Sequence, residues 1–270
     1  MKNILLLFLC STAFVACQSS KESQTTDAAV ISVDSVTYNL KTAPKISAEG
    51  DTSITSISIK YPKLTGGDET VIAKINAQIE QLVKNEMFSM DDTVKTTKTA
   101  SVETLAQGFI KEYETYTAEN ADLPSMGWDY YGFGDTLLIS PKVISIYYNV
   151  TSFTGGAHGN SNTSYLNFNA KTGDLLKLTD IVSDTTALKK LAEMKFEVTQ
   201  KQFAKDNDFE FNKSDYFWGN PFFLPANIAI TKTGLTFLYN PYEAAAYALG
   251  PISFSLTWEE VGLIARKDIK

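Results

Sequence analysis

Apolar positions change their spacing along this chain, and each spacing predicts a different element. Residues 4–15 form a short apolar stretch behind the basic Lys2, too short to span a bilayer comfortably. From 18 to about 29 the chain is polar, rich in Ser and Thr and aperiodic, which predicts a flexible spacer, and order is expected from Val30. Ile54-Thr55-Ser56-Ile57-Ser58-Ile59-Lys60-Tyr61 approximates period two and predicts a strand that Pro62 stops. Val71, Ile72, Ile75, Ile79, Leu82 and Val83 recur at three and four, which predicts a helix with Asp68 as its N-cap. Val102, Leu105, Ala106, Phe109, Tyr113 and Tyr116 make the stripe of a second helix, weakened by Gly108.

Beyond Gly127, short aromatic and β-branched runs divided by Gly, Asn and Asp predict antiparallel strands at 128–133, 137–139, 143–153 and 165–168. Lys171-Thr172-Gly173-Asp174 reads as a tight turn. Ser183-Asp184 opens a third helix that turns Leu188, Leu191, Ala192, Phe196 and Phe203 inward. Further strands are expected at 228–230, 235–239 and 252–256, before a short acidic end around Glu259 and Glu260. The irregular stretch from about 209 to 225 is long for a compact domain and is expected to be a lid or a surface excursion. This order is not the regular alternation of a doubly wound sheet. The expected fold class is α+β, an antiparallel β-sheet packed against a few α-helices, with an amino-terminal region at 30–150 and a carboxy-terminal region at 151–270.

The first apolar run ends at Phe14-Val15-Ala16-Cys17 and gives way to Gln18-Ser19-Ser20. It resembles a lipobox, although Phe14 stands where Leu is usual. The expectation is a lipoprotein signal peptide at 1–16, lipidation of Cys17 and a tether at 17–29. The chain would then reach the membrane through its lipid anchor only, in the cell envelope, and Gln18 gives no sign of inner-membrane retention. Cys10 would leave with the signal and Cys17 would be spent on the anchor, so stability must come from a core and not from a disulfide.

Charge narrows the partners. With 24 basic and 31 acidic residues the formal charge is −7, more negative still once Lys2 is removed. No basic patch stands out, which argues against nucleic acid and is compatible with a basic partner. One His and no free thiol fall short of a common zinc site, and no P-loop occurs, so neither metal nor cofactor is expected. Phe153-Thr154-Gly155-Gly156-Ala157-His158-Gly159-Asn160 is the most unusual stretch: its glycines permit a positive-φ turn beside the only histidine. His158 reads either as a structural ring pinning this hairpin or as a general base near Ser161 or Thr154. Trp128 to Phe133 and Tyr216 to Phe223 are aromatic clusters, and the second, which includes Trp218, is the better surface candidate. The carboxylate pairs Asp91-Asp92 and Glu259-Glu260 read as solvated ends of elements.

Tyr61-Pro62-Lys63-Leu64 before Ile75-Asn76-Ala77-Gln78-Ile79 resembles the amino-terminal domain-of-unknown-function family 4163. Thr154-Gly155-Gly156-Ala157-His158-Gly159, Leu166-Asn167-Phe168-Asn169, Lys171-Thr172-Gly173, Leu178 and Asp180 resemble family 3298, and the run from Asn240 through Tyr242, Glu243 and Tyr247 to Pro251 closes the pattern. Paired in this order, the two are similar to the RsiV-like envelope proteins. The resemblance implies a non-catalytic envelope binding module whose partner is a lysozyme-like muramidase or peptidoglycan. Gly155, Gly156, His158, Trp218, Tyr242, Glu243 and Tyr247 are the candidate binding residues. The alternative is a cell-wall hydrolase, or a deacetylase accessory protein, that uses His158.

Overall fold

A computed structural model describes residues 30–46, 50, 52–88, 99–120 and 126–269. The expected signal peptide, Cys17, the tether, Asp91 and Asp92 lie outside these residues. The fold is α+β, as expected. Strands β1 (Ser32–Lys41), β4 (Ser56–Thr65), β5 (Asp129–Ile139), β6 (Val143–Phe153) and β7 (Asn160–Asn169) form one sheet in the order β1-β4-β5-β6-β7. The short strands β2 (Lys45–Ile46) and β3 (Thr52–Ser53) pair inside the β1–β4 connection. Only β4 and β5 run parallel, because the crossover between them carries helices α1 (Glu69–Phe88) and α2 (Val102–Glu119).

Both helices form where the apolar stripe and a cap coincide. Asp68 Oδ1 accepts from the Val71 amide at 3.0 Å, and Ile72, Ile75, Ile79 and Val83 bury against Ile57, Ile59, Tyr61 and Leu64 of β4. Ser101 caps α2 through the Thr104 amide at 3.1 Å, and Val102, Ala106 and Tyr113 turn inward. Gly108 lies exposed in open space, so it costs propensity and no packing.

A second core follows, built by α3 (Leu178–Ile181), α4 (Thr185–Asp206) and a three-stranded antiparallel sheet of β8 (Asn227–Ile230), β9 (Gly234–Tyr239) and β10 (Ile252–Thr257). Helix α5 (Trp258–Val261) closes it with a capping box between Thr257 and Glu260. Asp184 caps α4 at the Ala187 amide, 2.8 Å away, and Leu188, Ala192 and Phe196 are buried.

Strand β7 is the edge of the larger sheet, and side chains of the second core take the place of a neighbour. Asn240 Oδ1 accepts from the Thr163 amide at 2.8 Å and its Nδ2 donates to the Thr163 carbonyl at 3.0 Å. Asn227 Oδ1 accepts from the Tyr165 amide at 3.1 Å. From β7 itself, Asn167 Oδ1 accepts from Ser145 Oγ and from the Ile230 amide, both at 2.8 Å, while Nδ2 donates to the Ile228 carbonyl at 2.7 Å. These bonds join the two sheets.

The structure corrects several expectations. Pro62 does not stop its strand: β4 runs on to Thr65, because β5 pairs only as far as Lys60 and one flank is then free of a ladder partner. Residues 137–139 continue β5 past an irregularity between Thr136 and Leu138. Phe203 is exposed and packs on Phe209 at the end of α4. The stretch from 209 to 225 is not a lid, since it drives Tyr216, Phe217 and Phe222 into the second core around Phe196 and Tyr239. Strand β6 spans residue 150, and the first core takes in residues up to Phe168.

Candidate functional site

The β6–β7 hairpin tip and two loops of the second core meet at an aromatic ledge. Gly155 and Gly156 adopt φ of 100° and 93°, a left-handed turn that leaves them surrounded by open space. His158, just past the turn, is exposed and stacks on Tyr247 with centroids 4.1 Å apart and planes 19° apart. Its Nδ1 lies 2.9 Å from the Gly159 carbonyl oxygen, which also accepts from Tyr247 Oη at 2.8 Å. A carbonyl only accepts, so Nδ1 carries the proton, and in the neutral ring Nε2 is left to accept from Tyr242 Oη at 3.5 Å.

Tyr242 lies 5.5 Å from the Tyr247 ring, and its carbonyl accepts from Trp218 Nε1 at 3.2 Å. Trp218 and Tyr242 are 59% and 53% exposed. Both stand on left-handed backbone, with φ of 56° and 70°, as does Phe217 at 59°. For residues with a Cβ that conformation costs of order 1–3 kcal/mol each and persists where surroundings over-determine it. Here the determinants are the burial of Phe217 among Phe196, Phe222 and Tyr239 and its amide bond to the Ala244 carbonyl at 2.6 Å. Glu243 serves the loop and not the ledge: its carboxylate accepts from the Asn240 amide at 2.8 Å.

A second feature is lined by both arms of the hairpin. Glu86, Val150, Ser152, Thr154, Asn160, Ser161 and Asn162 line a cavity of about 220 Å³. Glu86 is buried, and its carboxylate accepts from Asn162 Nδ2 at 2.7 Å and from Ser164 Oγ at 2.6 Å. In the sheet nearby, the buried hydroxyls of Tyr130 and Tyr148 lie close to each other and make no well-formed hydrogen bond among the described residues. Burial holds both phenols well above their ordinary range, and the Glu86 charge pushes them the same way.

The structure thus brings His158, Trp218, Tyr242 and Tyr247 together, leaves Gly155 and Gly156 as the open turn before His158, and gives Glu243 a supporting place. Of the cluster from Tyr216 to Phe223, expected at the surface, Trp218 and Phe223 are exposed, because Tyr216, Phe217 and Phe222 fill the core. In the other cluster Trp128 packs on Phe109, Tyr113 and Tyr116 of α2, and Tyr131 remains half exposed. The bonds of the His158 ring go to Gly159 and Tyr242, not to Ser161 or Thr154. Glu260 is tied to the Thr257 cap and to Lys195, which hold its carboxyl below the usual range. Among the described residues no three His, Cys, Asp or Glu side chains gather as a metal site, and no helix is long and apolar enough to cross a membrane. Sequence reasoning missed Glu86. It falls on the buried stripe of α1, one step beyond Ile79 and Val83, and a carboxylate at such a position is the signal that was available.

Comparison with known proteins agrees with this architecture. The family described as Deacetylase PdaC matches residues 48–161, and the family described as Protein of unknown function (DUF3298) matches residues 179–259. A crystal structure of a DUF3298 family member from Bacteroides fragilis is 19% identical and superposes with a TM-score of 0.64 over 89% of this chain and 96% of that one. A DUF3298 family protein from Pseudomonas aeruginosa is 17% identical, with a TM-score of 0.61 over the same shares. At these identities the likeness is one of fold. No curated protein matches the chain. The chain is therefore similar to the Deacetylase PdaC family over its amino-terminal part and to the DUF3298 family over its carboxy-terminal part.

Proposed function

We propose that this chain is a non-catalytic binding module of the cell envelope, held to a membrane by lipid on Cys17, and that the ledge of Trp218, Tyr242, Tyr247 and His158 is its binding surface. The carrying observation is that exposed rings are presented on strained, firmly anchored backbone. Rigid Trp and Tyr lose little entropy on binding and dominate the energetics of many interfaces. Both nitrogens of His158 serve in holding the ledge together, which favours a positioning role over proton transfer.

Two ligands fit. The resemblance to RsiV-like proteins and the negative charge of the chain favour a basic, lysozyme-like partner. The exposed rings of Trp218 and Tyr242 favour a glycan strand of peptidoglycan. Calorimetry of the soluble domain against lysozyme and against wall glycan fragments tests both, with Trp218→Ala and Tyr242→Ala as probes. A cost of about tenfold or more in affinity is expected at each position. Variants that bind like the parent would remove the ledge from the interface. In the enzymatic alternative, His158→Ala would lower turnover on purified wall by about 10²-fold.

A further inference from the structure

We infer that His158 makes the ledge a pH-gated surface, one that takes a basic partner while the imidazole is neutral and releases it once the ring is protonated. This deepens the basic-partner reading above and rests on it.

His158 is the only histidine in the whole chain, and imidazole is the side chain whose ordinary charge change falls between about pH 5 and pH 8. The ring is exposed, so solvent protons reach it. It is also held on three sides: Nδ1 donates to the Gly159 carbonyl at 2.9 Å, one face stacks on Tyr247 at 4.1 Å, and Nε2 meets Tyr242 Oη at 3.5 Å. Among the described residues, Tyr242 and Tyr247 are the titratable side chains in contact with it. Glu243 is the one charged residue from 240 to 250, and its carboxylate bonds the Asn240 amide. Neither the hairpin tip at 154–160 nor the turn at 217–219 carries a carboxylate or an ammonium.

Because both nitrogens are already engaged, protonation reverses a bond. In the neutral ring Nε2 is an acceptor, so the Tyr242 hydroxyl points its hydrogen there and turns its lone pairs outward. A proton taken up from solvent makes Nε2 a donor. Tyr242 Oη must then accept, and its own hydrogen swings away from the imidazole. The new bond is charge-assisted and the imidazolium lies against the Tyr247 face, so the ledge holds together in acid. What changes is the face shown to a ligand: at Tyr242 an acceptor becomes a donor, and a positive charge arrives beside an exposed ring. Both changes oppose a Lys or Arg side chain seated on that ring.

The test is calorimetry of the protein against lysozyme at about pH 8 and about pH 5.5, with the titration of lysozyme itself common to every variant. Affinity of the parent should fall about tenfold or more between the two. His158→Gln, which stays neutral throughout, should lose most of that difference. A nitrogen NMR spectrum reads the ring directly, since one histidine gives one set of imidazole signals: the neutral ring should carry its proton on Nδ1, and the acid form on both nitrogens. Equal affinity of the parent at both pH values, the same fall in His158→Gln, or a neutral ring protonated on Nε2 overturns the gate. If Trp218→Ala still loses affinity at the higher pH in that case, the ledge reading stands without it. If the parent binds lysozyme at neither pH, the basic-partner reading falls and the gate with it.

Discussion

Asn167→Ala is expected to cost about 3–5 kcal/mol of stability, because this one side chain carries the buried polar junction between the two sheets. Asn167 is 6% exposed, and its amide bonds the Ile230 N–H, the Ile228 carbonyl and the Ser145 hydroxyl. Truncation leaves two backbone groups without those partners in the interior. Each unsatisfied buried group costs about 1–3 kcal/mol, and the small cavity left by the amide adds to that sum. Ser145 is fully buried too, although its hydroxyl can rotate. Urea unfolding should show a lower midpoint with an unchanged slope, the mark of lost stability and not of altered compactness. Asn167→Asp gives an independent check of the geometry. The carboxylate retains the acceptor for Ile230 but faces the Ile228 carbonyl, so the folded state should raise its pKa. Stability of that variant should then be greatest below the ordinary carboxylate range and fall as pH rises through it. A loss below about 1 kcal/mol for Asn167→Ala, or an Asp variant indifferent to pH, would refute the junction as described.

Other parts of the fold make equally definite predictions. Tyr130→Phe and Tyr148→Phe each remove a buried hydroxyl that makes no well-formed hydrogen bond, so each should be neutral or stabilising by up to about 1 kcal/mol in thermal unfolding; a loss of more than that would show that the two hydroxyls bond each other. Burial raises the phenols of Tyr61, Tyr130, Tyr148 and Tyr239 above their ordinary value of 10.0, so the unfolded chain ionises first. Stability should be level below about pH 10 and fall above it by about 1.4 kcal/mol per pH unit for each such group, read by denaturant unfolding across the alkaline range. Gly234→Ala would place a Cβ 1.9 Å from the Leu256 carbonyl oxygen at the start of β9, and a loss of about 2 kcal/mol or more is expected in the same assay.

How much of this was legible in the sequence depends on where each element finds its stabilisation. α1, α2 and α4 were legible because each carries its own apolar stripe and its own cap, so local pattern and tertiary burial agree. β6 was legible because it is apolar on both faces over its first residues, where the two cores share it. The first half of β7 was not. Asn160 to Ser164 has no apolar alternation, and its partners are the Glu86 carboxylate and the Asn240 amide, both far away in sequence. The stretch around Phe217 misled for the opposite reason: its rings are buried, but on turns of left-handed backbone that give them no period. The ledge residues were each chosen by type. What the sequence could not supply was their adjacency, since hydrogen bonds at Tyr242 and Gly159 bring four separate positions together.

Glu86 connects these observations. A carboxylate on a buried helical stripe is costly unless donors meet it, and two of the donors come from the polar half of β7. The same polar residues that hide the strand from pattern reading are therefore what make the helix position tenable. They also fix the strand whose other edge is held by Asn240, from the loop that carries Tyr242 and Tyr247. Helix α1 in the amino-terminal domain and the ledge loop in the carboxy-terminal domain are thus coupled through one short run of β7. A change at Glu86 should be felt at the ledge even where no ligand is bound.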